Sequence, residues 1–301
     1  MQIFENFMPN EPIFDFWEGF AIKKIHGHIM LKNFHSYETR NTSTYKLIEQ
    51  AILRYGVRDF DWILINTGDS DKIKEDTGLV EDGAGQFYSV FSYSTSDKDF
   101  KSTIPDFVFD HWRQTGLADY EKTRAALSRF DILEPTTQCL GWRGALTHPS
   151  RSILVGLDNK IDFDCELINW DRTNPDSLTA TNFLSFEEQI AKWRYLIDMR
   201  GVGYSGRLKL LLTARRVVFL QARVHEEYFY PLLKPWVHYV PVREDLSDLE
   251  LNLKLIKSDL ALEGEILKNA SEFSQTYLTR DFAIFKMAQI LQNFCKYSKR
   301  C

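Results

Sequence analysis

The chain has 301 residues, a formal net charge of −5 and 44% hydrophobic residues. This length and composition allow one or two domains with a substantial core and argue against disorder. A net negative chain lacks the basic surface that duplex nucleic acid requires, so no nucleic-acid partner is expected. The four cysteines form no CxxC pair and no zinc-type spacing with histidine, which indicates thiols rather than a metal site.

Apolar runs in the chain are short. No stretch reaches about 18 apolar residues, so no transmembrane segment is expected. Residues 1–20 also lack the basic region and the continuous apolar run that mark a signal peptide. We therefore expect a cytoplasmic location.

The first half of the chain alternates between helical and strand patterns. Apolar residues at helical spacing predict a helix over 43–55 that ends at Gly56. The apolar run 62–66 predicts a buried strand, and the loop that follows it contains Asp69. Further predicted elements are a strand over 87–93, a helix over 118–129, a strand end at 139–143 and a helix start near 153–156.

The pattern becomes clearer from residue 184. Ser185 and Glu188 have capping-box spacing. A glycine-rich turn at 200–206 separates a predicted strand from a predicted helix. The predicted strands are 195–199, 217–221 and 237–242, and the predicted helices are 208–212, 246–257, 260–277 and 280–297. This alternation predicts an α/β fold with mostly parallel sheets, a boundary near residue 140, and a ligand at the carboxyl ends of the strands.

The turn Gly201–Gly206 spells GxGxxG between a strand and a helix, which is the context of a dinucleotide-binding loop. That fingerprint requires an acidic residue about 20 residues later, where this chain has Arg223. Arg200, Arg207 and Lys209 flank the loop, and arginines beside a helix start also suit the diphosphate of a nucleotide-sugar. Both interpretations remain open at this point: an NAD(P)-dependent oxidoreductase and a nucleotide-sugar enzyme.

Longer segments resemble one known family. Residues 193–249 contain WRYLIDMRGVGYSGRLKLLL, EEYFYPLLKPWVHYVPV and REDLSDL, and residues 142–151 read WRGALTHPSR. The first set resembles glycosyltransferase family 90, and the second resembles that family's FRGS…SPER loop. The family includes fungal capsule-associated proteins, bacterial lipopolysaccharide-core transferases and animal protein O-glucosyltransferases. The resemblance covers about residues 139–290.

The resemblance implies a GT-B fold, in which two Rossmann-like domains face a cleft and the C-terminal helices pack back toward the N-terminal domain. Residues 1–140 would bind the acceptor, and residues 141–301 would bind the nucleotide-sugar. The implied reaction is an inverting transfer of glucose, xylose or galactose from a UDP-sugar to a hydroxyl of a glycan or a lipopolysaccharide-type acceptor. Neither a metal nor another cofactor is expected.

Site residues follow from the same resemblance. Asp69 matches the catalytic base, with Asp71 and Asp110 as substitutes, and Arg151 and Arg207 would neutralise the departing diphosphate. The implied donor-binding residues are Arg143, Gly144, Ala145, Gly203, Tyr204, Ser205 and Glu227, and the implied acceptor-binding residues are Asp110 and Trp112.

Two departures from the family and one short motif keep alternatives open. Ala145 replaces a serine, which removes one hydroxyl contact to the donor phosphate and allows a non-catalytic sugar-binding relative. The glycine loop is also richer in glycine than the usual form. DxD patterns occur at 59–61, 69–71 and 162–164 and could hold Mn²⁺ or Mg²⁺, although such short motifs are common by chance.

Overall fold

A computed structural model describes the fold of the chain. The structure describes residues 18–33, 37–69, 79–81, 87–97, 99–129, 134–157, 161–170 and 180–297. Asp71, the substitute base of the sequence analysis, lies outside these residues.

Short strands and eight helices are spread along the described residues. The strands are β1 (Gly19–Ile25), β2 (His28–Asn33), β3 (Phe60–Asn66), β4 (Leu79–Glu81), β5 (Phe87–Ser92), β6 (Ser94–Thr95), β7 (Thr137–Gly144), β8 (Phe163–Leu167), β9 (Asn169–Trp170), β10 (Ala180–Thr181), β11 (Trp193–Asp198), β12 (Val217–Gln221), β13 (Glu226–Glu227) and β14 (Val240–Val242). The helices are α1 (Glu38–Tyr55), α2 (Tyr120–Arg129), α3 (Pro149–Val155), α4 (Phe186–Lys192), α5 (Leu208–Thr213), α6 (Leu249–Ser258), α7 (Leu260–Tyr277) and α8 (Arg280–Tyr297). None of the helices described is both long and apolar enough to cross a membrane.

The chain divides into two compact units. The first contains the described residues of Met1–His111, Val224–Tyr228 and Arg280–Cys301, and the second contains those of Trp112–Arg223 and Phe229–Thr279. This division differs from the single boundary near residue 140 that the sequence analysis places. The first unit gathers three separate chain segments, and local sequence patterns do not report such long-range packing.

A mixed sheet with the strand order β2-β1-β3-β5-β4 forms the first unit. Strands β1 and β2 form a hairpin whose turn has positive φ at His26 (49°) and Gly27 (78°). Strand β1 is antiparallel to β3, β3 is parallel to β5, and β4 is antiparallel to β5. The sequence analysis assigns no hairpin to residues 19–33, so it did not include these antiparallel strands. The Rossmann-like character of this half stays a prediction.

Helix α8 completes the first unit by packing on α1. The rings of Tyr55 and Phe285 meet edge to face, with 5.6 Å between their centroids. Arg54 Nη1 lies 2.7 Å from Asp281 Oδ1. The last helix thus returns to the N-terminal unit as predicted, whereas α6 and α7 belong to the second unit.

The second unit is built on a five-stranded sheet with the order β8-β7-β11-β12-β14. All four pairings between these strands are parallel. Strand β12 is buried along its whole length, as expected of a parallel strand that is covered on both faces. The predicted α/β class with a parallel sheet is confirmed. The strand order reverses between β7 and β11, and doubly wound sheets bind ligands outside the carboxyl ends of their strands at such a switch point.

Candidate functional site

Arg151 links the two loops that flank the switch point of the second unit. It lies on α3, behind the loop that follows β7. Its Nη1 donates to the carbonyl oxygen of Ala145 at 2.6 Å. Its Nε donates to the carbonyl of Arg200 at 2.8 Å, and its Nη2 donates to that of Met199 at 3.3 Å. The guanidinium therefore joins the carboxyl end of β7 to the carboxyl end of β11.

Arg207 approaches the same end of β7 from the opposite loop. It immediately precedes α5, and its Nη1 donates to the carbonyl oxygen of Arg143 at 2.6 Å. Its Nη2 donates to Oε1 of Gln189 at 2.7 Å. Every acceptor of Arg151 and Arg207 in the described part of the chain is thus a neutral oxygen, so neither guanidinium is paired with a carboxylate.

The charge of Arg207 also acts on Arg151. Burial, together with this nearby charge, lowers the pKa of Arg151 to about 10. Burial likewise lowers the pKa of Arg207. The negative charge of Asp198 acts to raise the pKa of both arginines, but the effect of burial is larger. Arg151 and Arg207, which we call the arginine cluster, are thus partly desolvated positive charges. An anionic ligand stabilises such an arrangement.

Asp198 is a buried carboxylate that the sequence analysis does not identify. It ends β11 and is 0% exposed. Its Oδ1 accepts a hydrogen bond from Ser205 Oγ at 2.7 Å, and its Oδ2 lies 2.8 Å from Nη1 of Arg223. Its place at the end of a parallel strand, directly before the glycine loop, is the signal that could have revealed it. Asp198 therefore anchors the glycine loop to the strand.

These contacts weigh against the oxidoreductase interpretation. The residue that ends β12 is Gln221, and its Nε2 donates to the carbonyl of Glu244 at 2.7 Å while its Oε1 accepts from the Arg200 amide at 3.1 Å. Arg223 is engaged by Asp198. A Cβ at Gly201 would meet its nearest atom at 3.4 Å, an ordinary contact. The acid of a dinucleotide fingerprint is therefore not present at the end of β12.

Arg143 is directed into its own sheet. It is 5% exposed, its Nη2 donates to Asp164 Oδ1 at 2.7 Å, and its guanidinium lies 5.0 Å from the centroid of the Trp193 ring. These contacts connect β7 to β8 and do not favour the predicted donor-binding role of its side chain. Only its carbonyl oxygen, bonded to Arg207, belongs to the arginine cluster.

The other predicted donor residues of the second unit border the arginine cluster through their backbone or lie in the glycine loop. Gly144 must be glycine, because a Cβ there would lie 2.4 Å from the Trp142 ring. Ala145 contributes its carbonyl to Arg151. The loop residues Gly203, Tyr204 and Ser205 are all buried.

Glu227 belongs to the first unit. It lies in β13 and pairs with Ser94 of β6, and it is 1% exposed. The sequence analysis placed it with the donor-binding residues of 141–301, and the structure instead groups its short strand with β6. The donor-binding role of Glu227 stays a prediction.

Asp69 follows β3 of the first unit, at the carboxyl end where the sequence analysis placed it. Its Oδ1 accepts a hydrogen bond from Nη1 of Arg40 at 2.8 Å. The same Nη1 donates to the carbonyl of Thr67 at 3.0 Å. The Asp69 side chain is 42% exposed.

Asp110 and Trp112 are divided between the two units. Asp110 lies 3.2 Å from both Arg280 and His111, and 3.5 Å from Lys46. Burial acts to raise the pKa of Asp110, but His111, Lys46 and Arg280 outweigh it and hold the pKa below its usual range. These contacts give Asp110 a structural role between α1 and α8. Trp112 precedes a short 3-10 turn and donates its amide to Leu117 at 2.7 Å.

The carboxylates of the DxD motifs at 59–61 and 162–164 form ion pairs with lysine or arginine side chains. Asp59 lies 2.7 Å from Lys24 and Asp61 lies 3.0 Å from Lys23. Asp162 contacts Lys257, and Asp164 contacts Arg143 and Lys192. Within the residues that the structure describes, no group of three or more His, Cys, Asp or Glu side chains could hold a metal ion. Transfer without a metal stays a prediction.

An α/β unit with arginines on both sides of its switch point is typical of proteins that bind phosphorylated ligands. The family model "Glycosyl transferase family 90" matches residues 18–300, so the chain belongs to this family. Rat protein O-glucosyltransferase 1 is 29% identical over 69% of this chain and 57% of its own length. The O-glucosyltransferase rumi of Drosophila melanogaster is 29% identical over 72% of this chain and 55% of its own length. The chain therefore spans just over half the length of these relatives.

Among solved structures, the C-terminal domain of a glycosyl transferase group 1 family protein from Francisella tularensis is similar to this chain. The identity is 10%, the match covers 52% of this chain and 93% of that domain, and the TM-score is 0.33. A likeness at this level adds nothing to the family assignment.

Proposed function

We propose that the chain is an inverting, metal-independent glycosyltransferase that moves a sugar from a UDP-sugar to an acceptor hydroxyl. The observation that carries this proposal is the pair Arg151 and Arg207, whose guanidinium groups are held on neutral oxygens at the switch point of a parallel sheet. Family membership and the glucosyltransferase names of the relatives support the same reaction class.

The departing UDP accumulates negative charge on its diphosphate as the bond to the sugar breaks. Preorganised positive groups in a partly desolvated site stabilise such charge without reorganisation, which is the largest catalytic effect in many enzymes. Arg151 and Arg207 supply this charge in our proposal. Their existing bonds to backbone carbonyls keep the two groups in place before the donor binds.

Asp69 acts in this proposal as the general base. Its carboxylate would take the proton of the acceptor hydroxyl while the oxygen attacks the anomeric carbon. Its position after β3 and its exposed carboxylate support this role. Asp110 is a poorer candidate, because His111, Lys46 and Arg280 surround its carboxylate.

Glucose is the first donor sugar to test, since the relatives are named O-glucosyltransferases, and xylose and galactose follow. A glycan or lipopolysaccharide-type hydroxyl is the acceptor class that we propose. The relatives' names add a protein hydroxyl as the class to compare with it. A cytoplasmic location and independence from cofactors complete the proposal.

The proposal is tested by measuring UDP release from a panel of UDP-sugars in the presence of EDTA, with glycan and peptide acceptors and with water. We expect release with one UDP-sugar despite EDTA. Release that EDTA abolishes and Mn²⁺ restores would overturn the metal-free mechanism. No release from any UDP-sugar, together with NADPH binding, would overturn the transferase itself.

Arg207→Ala tests whether the Arg207 charge stabilises the leaving diphosphate. Because it removes one of the two charges that stabilise the leaving diphosphate, we expect kcat to fall on the order of 10²–10³-fold. Arg54→Ala is the control, since Arg54 lies on α1 and contacts Asp281, whose side chain is 81% exposed. Equal activity of the two variants would contradict the role of Arg207.

A further inference from the structure

Arg40 of α1 holds the carboxylate proposed as the base. Its Nη1 donates both to Asp69 Oδ1 at 2.8 Å and to the carbonyl of Thr67 at 3.0 Å. The Arg40 side chain is 18% exposed, compared with 42% for Asp69. Arg40 thus fixes one carboxylate oxygen relative to the backbone of the same loop.

Two aromatic rings in turn restrict Arg40. Its guanidinium carbon lies 4.3 Å from the centroid of the Tyr37 ring and 5.0 Å from that of Phe107. Tyr37 caps α1 with φ 53° and ψ 49°, a left-handed conformation that a bulky residue rarely adopts. A guanidinium stacked on rings and bonded to a carbonyl keeps its orientation, which a solvated arginine does not.

Two further carboxylates lie near this contact among the described residues. Asp106 precedes the 3-10 turn at Phe107 and is 0% exposed. Glu18 Oε2 lies 2.0 Å from where a Cβ of Gly68 would be, directly before Asp69. Burial raises the pKa of Tyr93, the charge of Arg40 lowers it, and Asp106 and Asp69 raise it further, so these three charges share one neighbourhood.

We infer that Arg40 is a positioning residue for the base: it holds one oxygen of Asp69 and so orients the carboxylate. This inference rests on the proposed function, in which Asp69 accepts the acceptor's proton. With Oδ1 held by Arg40, Oδ2 takes that proton while the acceptor oxygen bonds to the anomeric carbon. The bond from that carbon to UDP breaks, and its electron pair leaves with the diphosphate.

The inference is tested by kcat and donor KM for UDP-sugar turnover in Arg40→Gln, Arg40→Lys, Asp69→Asn and Arg54→Gln. Glutamine keeps hydrogen-bond donors but removes the charge, whereas lysine keeps the charge. Arg54 lies on the same helix, and its contact is with Asp281, whose side chain is 81% exposed. UDP affinity and thermal unfolding of each variant verify that it is folded and binds donor.

In Arg40→Gln we expect kcat to fall on the order of 10²-fold with donor KM unchanged, because the base is no longer oriented. Arg40→Lys should recover part of the lost kcat, because lysine keeps the positive charge beside Asp69. Arg54→Gln should match the unaltered enzyme.

The outcomes distinguish the positioning role of Arg40 from the proposed transferase function. If Asp69→Asn is inactive and Arg40→Gln keeps the original kcat, the inference is wrong and the proposed transferase stands. If Asp69→Asn is fully active, Asp69 is not the base and the inference falls with it, while UDP release that depends on Arg207 still supports the transferase. Absence of UDP release from the unaltered chain would overturn both.

Discussion

The indole ring of Trp193 determines which side chains its neighbours in the second unit can carry. Its Nε1 donates to Asp164 Oδ2 at 2.9 Å, and the Arg143 guanidinium lies over its ring. On the adjacent strand, a Cβ at Gly141 would lie 1.7 Å from Cδ2 of the ring. Only glycine fits at that position, because the ring is fully buried and cannot move aside.

Gly141→Ala is therefore expected to lower the free energy of unfolding by about 3 kcal/mol, at the upper end of typical overpacking costs. Urea denaturation measures this change. Gly264→Ala is the control, since nothing lies within 4 Å of a Cβ there and Gly264 is inside α7. It should raise the stability by about 0.5–1 kcal/mol. Equal stability of the two variants would contradict the packing described for Trp193.

At the scale of elements, one carboxylate connects β8 with β7 and with the start of β11. Asp164 Oδ1 lies 2.7 Å from Arg143 Nη2, and its Oδ2 lies 2.7 Å from Lys192 Nζ and accepts from Trp193 Nε1. The Asp164 side chain is 22% exposed. Strands β7, β8 and β11 and the end of α4 thus meet at a single charged group, which makes their packing dependent on pH.

Burial acts to raise the pKa of Asp164, but Lys192, Trp193 and Arg143 outweigh it and lower the pKa from 3.8 to about 2. A carboxylate whose pKa is lower in the folded than in the unfolded state stabilises the fold at pH values above its unfolded-state pKa. This contribution is lost as the pH falls from about 4 toward 2. We expect Asp164→Asn to cost about 2 kcal/mol at pH 7, with the difference from the unaltered chain narrowing below pH 4. Urea unfolding at several pH values measures it. Asp281→Asn should stay within about 0.5 kcal/mol at every pH.

At the scale of the whole molecule, the first unit is assembled from both ends of the chain. Helix α8 comes last in sequence and contributes buried residues to that unit, among them Ile284, Met287 and Leu291, all 0% exposed. Phe294 meets Phe91 of β5 edge to face at 5.7 Å. The stability of the β3 and β5 region therefore depends on residues some 200 positions away.

Leu291→Ala tests this dependence. Truncating a fully buried leucine costs about 2–5 kcal/mol, so amide hydrogen exchange should accelerate in α1, β1 and β3 of the first unit. Strands β11 and β12 of the second unit should keep their protection. Leu255→Ala on α6 is the control, because Leu255 is 43% exposed, and it should leave both units unchanged. Faster exchange in β11 and β12 alone would contradict the assignment of α8 to the first unit.

Elements with strong local signals could be predicted from the sequence. Helices α7 and α8 and strand β12 have the predicted bounds, and both halves of the Ser185–Glu188 capping box are present. Gly56 ends α1 in the left-handed conformation, although α1 begins at residue 38 rather than 43. Hydrophobic periodicity and caps depend on residues within one or two turns, so the sequence alone carries them. The spacing of glycines marks the loop at 201–206, and motif resemblance points to Asp69, Arg151 and Arg207, whose catalytic roles stay predictions.

Only the tertiary structure decided which charged groups meet. Arg143 with Asp164, Arg223 with Asp198 and Arg40 with Asp69 are separated by 21, 25 and 29 residues. These contacts depend on which strands and helices are neighbours, and no local pattern encodes that. The same reason explains why β13 with Glu227 joins the first unit and why β1 and β2 turn its sheet into a mixed one. The sequence by itself determined the family and the local elements, whereas packing determined the partners of each site residue.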